Sequence, residues 1–270
     1  MTIFRKLFTL LIISLFVLSI TNCVCAENSN SLDSKKSFVV GFNSEFPPFG
    51  YQADNGEYTG FDIELAKEVC ERNNWTFIPQ PITNWGTKNT ELNSGMMDCI
   101  WSEFTINGRE DEYTWSKAYF NNTQVVVVKA DSNISSQKDL KDKDVEIQEG
   151  HSALNVLEKE KRSLMNSFKS LTKIKEYNTG FMDLESGVCD AIIVDVPLAK
   201  YHIKEKSADK FKILDEPIAF EQYGIAFKKG NDDLKNQVQK TLDEMYSDGT
   251  VNKIAQKYNA YEIEDSLLYP

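Results

Sequence analysis

The chain contains little histidine and little cysteine. Its 270 residues include two histidines, His151 and His202, and five cysteines, none of them in a CxxC spacing. A structural zinc site takes four nitrogen or sulfur ligands at short, recurring spacings. The sequence therefore argues against a zinc site, and no cofactor is predicted.

The five cysteines fall into two groups. Two of them lie in the N-terminal segment, and Cys70, Cys99 and Cys189 lie within apolar helix or strand patterns. In such patterns cysteine behaves as a small hydrophobic residue. Three is an odd number for an exported chain. One disulfide can form among them, and the sequence does not decide whether it forms or which two residues it joins.

Positive charge is also in short supply. The chain has 30 lysines and arginines against 41 aspartates and glutamates, and its formal net charge is -11. A nucleic-acid partner requires a basic face that neutralises phosphates, so the composition argues against one. Because 41% of the residues are hydrophobic, the chain can still bury one large core or two smaller ones.

The only long apolar run lies at the N-terminus. It extends from Leu7 to Ile20, directly after Arg5 and Lys6, and small and polar residues follow it. A short apolar core behind a positive start is typical of a secretory signal peptide and not of a membrane span. We therefore expect an exported protein.

Three fates of this N-terminal segment remain open. Cleavage after Ala26 fits the small-x-small rule, makes residues 1–26 the signal peptide and leaves a soluble product. Alternatively, "ITNC" resembles a lipobox, so that residues 1–22 are removed and Cys23 is lipidated. In the third case the segment stays uncleaved as an anchor helix. The polar residues 27–36 are predicted to form a flexible tether.

From Lys36 onward, strand and helix patterns alternate. The strand pattern "SFVVGF" precedes an amphipathic helix pattern in "GFDIELAKEVCERNN", and a later helix in "TKNTELNSG" is predicted to end at Gly95. Strands separated by helices predict parallel α/β sheets. The further strand patterns are "WTFIPQPI", "MDCIW", "TQVVVVKA", "DVEIQ", "DAIIVD" and "YGIAFKKG".

Two segments of the chain repeat one pattern without a gap. "ELNSGMMDCIWSE" (91–103) and "DLESGVCDAIIVD" (183–195) share acid-Leu-x-Ser-Gly-x-x-Asp-x-Ile. Each reads as a helix end, a glycine stop and a buried strand that leads to an acidic residue. Ligands of α/β sheets bind at the carboxyl ends of strands. If the segments belong to two similar lobes, Glu103 and Asp195 can face each other across a cleft; chance similarity of two βα units is the alternative.

The order of these and further motifs resembles that of the family 3 solute-binding proteins, the polar amino-acid receptors of ABC transporters. The resemblance covers nearly the whole chain after the tether. It rests on "GFNSEFPPFGY", "GEYTGFDIELAKEVC", "DCIWSEFTINGRED", "IQEGHSALNVLE", "CDAIIVD" and "YGIAFKKGNDDLKNQVQKTLDEMYSDGTVNKIAQKY".

The resemblance implies an α/β fold of periplasmic binding protein type II. Each of two lobes would have a mixed β-sheet flanked by helices, and the lobes would close on a ligand about two connecting segments. These segments are expected near Asn122 to Val126 and Phe220 to Tyr223. The implied limits are residues 37–123 with 223–262 for lobe one, 124–222 for lobe two and 263–270 for a C-terminal tail.

Arg109 and Asp195 are the central predicted contacts. In the family, the arginine at the position of Arg109 holds the ligand's α-carboxylate, which a planar guanidinium can bind through two parallel bonds. The alternative is a surface arginine paired with Glu110 or Asp111. The family's aspartate at Asp195 accepts from the α-ammonium, and an unpaired carboxylate after so apolar a strand would be costly. The alternative role of Asp195 is to cap the following helix.

Four further residues are expected around the zwitterion. The resemblance places Thr105 against both of its ends and Ser152 against its carboxylate. His151 and Ser152 belong to "EGHSA", a predicted helix start whose free N–H groups suit an anion. Ser102 is an oriented hydroxyl at the same edge. Strand packing for Thr105 and a plain helix N-cap for Ser152 are the alternatives.

The ligand side chain is expected to meet residues of lobe one. Phe46 matches the aromatic residue that often covers the ligand, and Trp85 lies in a loop near the cleft, although both can be core residues. Asn43 stands where receptors for cationic amino acids often carry aspartate, which argues against a strict lysine or arginine receptor. Glu103 replaces a usual small residue. Its carboxylate either points to solvent or receives a cationic or donor-rich ligand side chain.

The function predicted from these residues is that of an exported, monomeric amino-acid-binding subunit of an ABC importer, with a separate permease and ATPase and no membrane contact beyond a lipid anchor. An enzyme of this fold is the first rival, either a dehydratase of prephenate-like acids or a lytic transglycosylase. No nucleophile elbow or Ser-His-Asp arrangement is visible. The sequence also leaves open an amino-acid sensor and an adhesive surface lipoprotein.

Overall fold

The computed structural model describes residues 35–206 and 209–268. The predicted signal peptide, both cleavage sites, Cys23 and most of the tether lie outside these residues. None of the helices within the two ranges combines the length and the hydropathy that a membrane span requires.

The strands of the described residues are short, apart from one of ten residues. In chain order they are β1 (Ser37–Phe42), β2 (Glu45–Phe46), β3 (Gly50–Gln52), β4 (Tyr58–Thr59), β5 (Thr76–Pro81), β6 (Cys99–Ile100), β7 (Thr114–Trp115), β8 (Phe120–Lys129), β9 (Asp144–Gln148), β10 (Ser170–Ile174), β11 (Ala191–Asp195), β12 (Phe211–Ile213), β13 (Ala219–Tyr223) and β14 (Ala226–Phe227).

The helices fill the stretches between these strands and follow the last of them. In chain order the α-helices are α1 (Phe61–Arg72), α2 (Lys88–Ser94), α3 (Ser152–Lys159), α4 (Arg162–Met165), α5 (Tyr177–Ser186), α6 (Val196–Tyr201), α7 (Asp232–Ser247) and α8 (Thr250–Gln256). Short 3-10 turns occupy Trp85–Thr87, Gln137–Leu140, Asn259–Tyr261 and Glu264–Ser266, and His202–Lys206 is a π-helical turn.

Two larger sheets organise the fold. The first has the order β5-β1-β6-β14-β7, and the second has the order β10-β9-β11-β8-β12, with β13 also paired to β8. In each sheet a parallel set (β5, β1 and β6, or β10, β9 and β11) is extended by antiparallel strands. Both sheets are therefore mixed, as the family resemblance implied. The antiparallel β8 and β14 are the strands at which the chain changes from one sheet to the other.

The segments that join the two sheets lie side by side. Strand β8 pairs antiparallel with β13, so that Asn122 lies opposite Glu221 and Phe120 opposite Tyr223. These are the segments predicted from the sequence as lobe connections. Their action as a hinge, and the residue limits given above for the lobes, remain predictions.

The repeated pattern of the sequence corresponds to repeated geometry. Gly95 and Gly187 end α2 and α5 in the left-handed conformation, with φ of +81° and +83°. Three residues later, Asp98 accepts from a main-chain N–H of β1 at 2.7 Å and Asp190 from one of β9 at 3.0 Å. Each aspartate thus ties its βα unit to the neighbouring parallel strand, and the strands after them, β6 and β11, lead to the cleft.

Buried apolar side chains cover both faces of each sheet. One cluster, which includes Trp85 and Phe104, lies on one face of the first sheet, and another, which includes Val126 and Leu157, lies on one face of the second. The largest cluster joins the remaining faces and contains the three cysteines Cys70, Cys99 and Cys189. All three are buried, as their apolar sequence surroundings predicted, and they are unpaired, which the sequence had left open.

Candidate functional site

A small cavity lies between the two lobes. Its volume is about 10 Å³, which is close to the least that holds one water molecule. An amino acid can enter only if the lobes separate or the lining side chains move. The lining residues come from both lobes and are Phe46, Trp85, Glu103, Phe104, Thr105, Arg109, Gln148, His151, Ser152 and Asp195.

Most of the predicted site residues meet at this cavity. Eight of the ten candidates line it, whereas Asn43 and Ser102 do not. Two lining residues, Phe104 and Gln148, were not predicted from the sequence. Phe104 stands between two candidates in the chain, and Gln148 ends the strand that precedes "EGHSA", so position in the motif could have identified both. The role of each candidate in ligand binding remains a prediction.

Arg109 is buried, with 8% of its surface exposed. Its Nη1 donates to the main-chain oxygen of Thr105 and its Nη2 to that of Gly150, both at 3.2 Å. The guanidinium also lies over the Phe104 ring, 5.1 Å from the centroid, and burial lowers its pKa. No ion pair of the described residues includes this guanidinium. The alternative of a surface arginine paired with an adjacent acid is therefore wrong.

Asp195 is the last residue of β11 and is 2% exposed. It occupies the N-cap position of α6, but its side chain makes no capping bond, so the capping alternative is wrong. Its Oδ1 accepts from Tyr223 Oη and Gln124 Nε2, both at 2.6 Å, and also from Asn122 Nδ2. Its Oδ2 lies 2.8 Å from His151 Nε2. The carboxylate is thus held by β11, by both connecting strands and by the start of α3.

His151, and not Ser152, caps helix α3. Its Nδ1 accepts from the Ala153 N–H at 3.2 Å, so the hydrogen-bond pattern assigns the ring proton to Nε2, which donates to Asp195. Ser152 is the first residue of the helix, and its hydroxyl accepts from Gln124 Nε2 at 3.3 Å. The alternative of Ser152 as a plain N-cap is therefore wrong.

Glu103 is buried with its side chain at the cavity, and it is 7% exposed. Its φ is +41°, in the left-handed region, and its main-chain N–H donates to Asp62 Oδ2 at 2.8 Å. Its carboxylate accepts from the hydroxyl of Ser102. Burial raises the pKa of Glu103 well above the usual value, and the carboxylates of Asp62 and Asp195 raise it further. Of the two orientations left open by the sequence, exposure to solvent is wrong.

Asn43 and Ser102 lie behind the lining and support it. The main-chain N–H of Asn43 donates to Ser102 Oγ at 2.9 Å, and Asn43 Oδ1 accepts from the Glu45 N–H at 3.0 Å. The first bond joins the loop after β1 to the loop after β6, and the second lies within the loop after β1. Both residues therefore position the lobe-one edge that carries Glu103.

Aromatic rings form the lobe-one wall. Phe46 is 1% exposed and meets the ring of Tyr177, from lobe two, edge to face at 6.0 Å. Trp85 meets Phe104 edge to face at 5.6 Å. Both predicted aromatic residues are thus at the cavity and also belong to the packed core, so the two interpretations hold together.

Lys88 is a buried cation that the sequence did not single out. Its Nζ donates to the main-chain oxygens of Trp85, at 3.0 Å, and Gly150, at 3.3 Å. Burial, together with the charge of Arg109, lowers the pKa of Lys88 to about 7. The Gly150 carbonyl of lobe two thus accepts from two cations of lobe one. In the sequence Lys88 belongs to a polar helix start, which gave no signal of burial.

A second buried acid lies beside Asp195 on the connecting strands. Glu221 Oε1 accepts from Asn122 Nδ2 at 2.8 Å and from Gln124 Nε2 at 2.5 Å. Burial raises the pKa of Glu221, and the charge of Asp195 adds to the increase. The two amides therefore bridge two carboxylates, one on each of the strands β13 and β11.

These carboxylates do not form a metal centre. Within residues 35–206 and 209–268, no three or more histidine, cysteine, aspartate or glutamate side chains are grouped so as to hold a metal ion. What the cavity offers is a guanidinium and a carboxylate from opposite lobes, a second carboxylate in Glu103, and aromatic walls. Such a set can bind a small molecule with both charges.

Comparison with known proteins assigns the family. The model of the bacterial extracellular solute-binding proteins, family 3, matches residues 38–261. The chain belongs to this family.

Relatives of this family 3 protein match it over most of their length. The L-cystine-binding protein TcyJ of Escherichia coli (strain K12) is 28% identical over 235 residues, which cover 85% of each chain. The probable amino-acid-binding protein YxeM of Bacillus subtilis (strain 168) is 30% identical over 265 residues, or 94% of this chain and 95% of YxeM.

A solved structure has the same architecture. The substrate-binding protein of an ABC uptake transporter from Streptococcus pneumoniae, with bound histidine, superposes with a TM-score of 0.78 and 29% identity, covering 82% of this chain and 92% of that one. The two-lobe α/β fold predicted from the sequence is confirmed.

Proposed function

We propose that this protein is the extracytoplasmic amino-acid-binding subunit of an ABC importer, and that its lobes close on the α-ammonium and α-carboxylate of the ligand. The observation that carries the proposal is that a buried guanidinium, Arg109 of lobe one, and a buried carboxylate, Asp195 of lobe two, line the same cavity.

Arg109 is suited to the ligand carboxylate. Its two carbonyl partners are at 3.2 Å, and they are neutral acceptors. A carboxylate accepts two parallel, charge-assisted bonds from the same guanidinium, which are shorter and about twice as strong. Exchange of the carbonyls for a ligand carboxylate is therefore favourable, and it leaves the cation paired in a buried place.

Asp195 is suited to the ligand ammonium. Its position is set by donors on three different elements, so the carboxylate is already oriented before a ligand arrives. At an effective dielectric constant near 20, a charge pair at 4 Å is worth about 4 kcal/mol before desolvation. Two such pairs are of the size that micromolar binding requires, which is about 8 kcal/mol.

The same geometry explains why binding would favour closure. The two charges belong to opposite lobes, so one zwitterion can satisfy both only when the lobes meet. Asn122, Gln124 and Tyr223, which hold Asp195, all lie on the connecting strands β8 and β13. The orientation of the ammonium acceptor is therefore tied to the strands about which the lobes would move.

The names of relatives support an amino acid as the ligand, and the predicted signal peptide supports a location outside the cytoplasm. TcyJ binds cystine, and the Streptococcus pneumoniae structure holds histidine, so an amino acid is the ligand class. We propose a monomer that delivers its ligand to a separate permease and ATPase, without catalysis. Retention at the membrane would require lipidation of Cys23; cleavage after Ala26 would release a soluble protein.

A thermal-shift screen tests the proposal. The mature protein is unfolded, dialysed and refolded to remove carried ligand, and each amino acid, with cystine and ornithine, is added in turn. A ligand at 100 times its Kd stabilises the native state by about 2.7 kcal/mol, which raises the Tm of a chain of this size by roughly 5–10 °C.

Matched variants complete this test. Arg109→Ala and Asp195→Ala should each remove the shift. The controls Arg72→Ala and Asp243→Ala, which break the surface pairs with Asp248 and Lys117, should keep it. If the refolded protein melts cooperatively and no amino acid raises its Tm, the zwitterion clamp is wrong.

A further inference from the structure

Glu103 has a backbone conformation that suits glycine better than glutamate. With a φ of +41°, it lies in a region where the Cβ atom of an L-residue is crowded by its own main chain. Residues in such conformations persist where the surroundings hold them, and they are concentrated at functional sites. Here the main-chain N–H is held by Asp62 Oδ2 at 2.8 Å. At this strained position the chain carries a glutamate side chain, which a glycine would lack.

The side chain so placed ends in a carboxylate with few partners. Its hydrogen-bond donor is the Ser102 hydroxyl, and no lysine or arginine of the described residues is within ion-pair distance of it. Arg109, the arginine of the same cavity, donates instead to the main-chain oxygens of Thr105 and Gly150. A buried carboxylate is stable when a cation pairs with it.

The whole site has an excess of acids. Two carboxylates, Glu103 and Asp195, and one guanidinium line the cavity. Outside this lining, two further acids, Asp62 and Glu221, and one lysine, Lys88, are also buried. In the lining, acidic side chains therefore outnumber arginine and lysine side chains by one. A neutral zwitterion brings no cation for the second acid of the lining, whereas a ligand with one additional positive charge does.

We infer that Glu103 determines the ligand class, by pairing with a second positive charge at the side-chain end of a basic α-amino acid such as arginine, lysine or ornithine. The inference rests on the proposed function, which assigns the α-carboxylate to Arg109 and the α-ammonium to Asp195. The ligand side chain is then left with the lobe-one wall, where Glu103 stands among Phe46, Trp85 and Phe104. Aromatic faces beside a carboxylate suit a cation.

This inference revises the expectation drawn from Asn43. An asparagine in place of aspartate argued against a strict receptor for basic amino acids, but Asn43 does not line the cavity. Its side-chain oxygen is engaged by the Glu45 N–H. The negative charge that a basic side chain requires is supplied from the other lobe-one loop, at Glu103.

Pairs of ligands that are close in size and differ in charge test the inference. Binding of arginine and citrulline, and of lysine and norleucine, is measured by calorimetry on the refolded mature protein at pH 7.5. The charged member of each pair should bind about ten- to a hundredfold more tightly. In Glu103→Gln the preference should vanish, through weaker binding of the charged member. The control Glu146→Gln removes another buried carboxylate, on β9 outside the cavity lining, and should keep the preference.

A pH profile separates charge pairing from a merely structural role of Glu103. Burial raises the pKa of Glu103, and a paired cation would stabilise its charged form. The affinity for arginine or lysine, measured by calorimetry between pH 5 and pH 8, should therefore rise with pH in the wild-type protein and rise less steeply in Glu103→Gln.

The possible results have distinct consequences. If citrulline and norleucine bind as tightly as their charged partners, or if amino acids bind but arginine, lysine and ornithine do not, the inference is overturned and the proposed function stands. If no amino acid binds the refolded protein, the proposed function fails and the inference with it. The comparison in the wild-type protein needs no variant, so a folding defect in Glu103→Gln does not weaken it.

Discussion

Replacing Asp62 by asparagine is expected to remove a large part of the pH dependence of the folding free energy. Asp62 lies in the first turn of α1 and is fully buried. Both of its oxygens lie 2.9 Å from Tyr119 Oη, and Oδ2 also accepts from the Glu103 N–H. An asparagine can keep both partners, because its amide oxygen accepts from the N–H and its amide nitrogen donates to the phenol oxygen.

The size and sign of the effect follow from the pKa. Burial raises the pKa of Asp62 from 3.8 to about 7, against the opposing effect of hydrogen bonds to its carboxylate. Between these values the folded chain holds a proton that the unfolded chain has released, so a rise in pH favours unfolding. Three pKa units correspond to about 4 kcal/mol. This contribution is fully present below about pH 4 and is lost as the pH passes 7.

Urea unfolding at pH 5, 6, 7 and 8 measures how the free energy of unfolding depends on pH. The free energy of unfolding should fall with pH in the wild-type protein, with Glu103 and Glu221 contributing in the same direction because burial raises their pKa values as well. In Asp62→Asn the free energy of unfolding should fall less steeply, and the difference in slope should correspond to about one proton per molecule. The variant should be more stable than the wild-type protein at pH 8. If its slope equals that of the wild type, the assigned protonation of Asp62 is wrong.

A matched control distinguishes this effect from a general loss of charge. Asp144 is paired with Lys169 and Ser170 at the surface, and these hydrogen bonds lower its pKa. Its contribution therefore has the opposite sign and is lost as the pH falls. Asp144→Asn should leave the decline between pH 5 and pH 8 unchanged.

Three further predictions follow from single contacts. Tyr223→Phe removes a 2.6 Å bond to Asp195 and should weaken binding of the amino acid found in the screen by roughly tenfold, or about 1.5 kcal/mol by calorimetry; unchanged affinity would mean that the phenol does not position the carboxylate. Gly60→Ala places a Cβ 2.2 Å from a main-chain oxygen at a φ of +124°, whereas Gly95→Ala, at a φ of +81°, meets nothing within 4 Å. Urea unfolding should show that the first variant lowers the free energy of unfolding by at least about 2 kcal/mol and the second by about 1 kcal/mol. Equal losses would contradict the close contact. Lys88→Met should remove a contribution to the unfolding free energy that rises between about pH 7 and pH 10, because burial lowers the Lys88 pKa from 10.5 to about 7 and the unfolded chain alone binds the proton in that range. The unfolding free energy of the variant should therefore decline relative to that of the wild type over this range, and parallel curves for the two proteins would refute this.

The sequence predicted best what depends on neighbouring residues. The end of α2 at Gly95 was expected because glycine takes the left-handed conformation that closes a helix, and the same rule applies at Gly187. The repeat around these two glycines also predicted that Glu103 and Asp195 would end at one cleft, because strands in equivalent units deliver their last residues to equivalent edges.

The sequence predicted least what depends on contacts between distant segments. The partners of Asp195 include Asn122, Gln124 and Tyr223, from 73 to 28 residues away, and nothing in their local patterns marks them as polar groups of a core. Lys88 and Glu221 were missed for the same reason. A charged residue in a polar helix start or in an exposed-looking strand gives no local signal that another lobe will cover it.

The contacts seen in the closed cleft also bear on which residue discriminates between ligands. Arg109 already donates to two carbonyl oxygens, and Asp195 already accepts from amide, phenol and imidazole donors. The free energy that a ligand gains at Arg109 and Asp195 is the difference between its own bonds and the bonds that it replaces. Since every α-amino acid presents the same α-carboxylate and α-ammonium, this gain is the same for all of them. Glu103 has one hydroxyl donor and a raised pKa, so the gain from pairing it with a cation is larger, and it is available only to ligands whose side chain carries one. We therefore expect the affinity for amino acids in general to depend on Arg109 and Asp195, and the choice among amino acids to depend on Glu103.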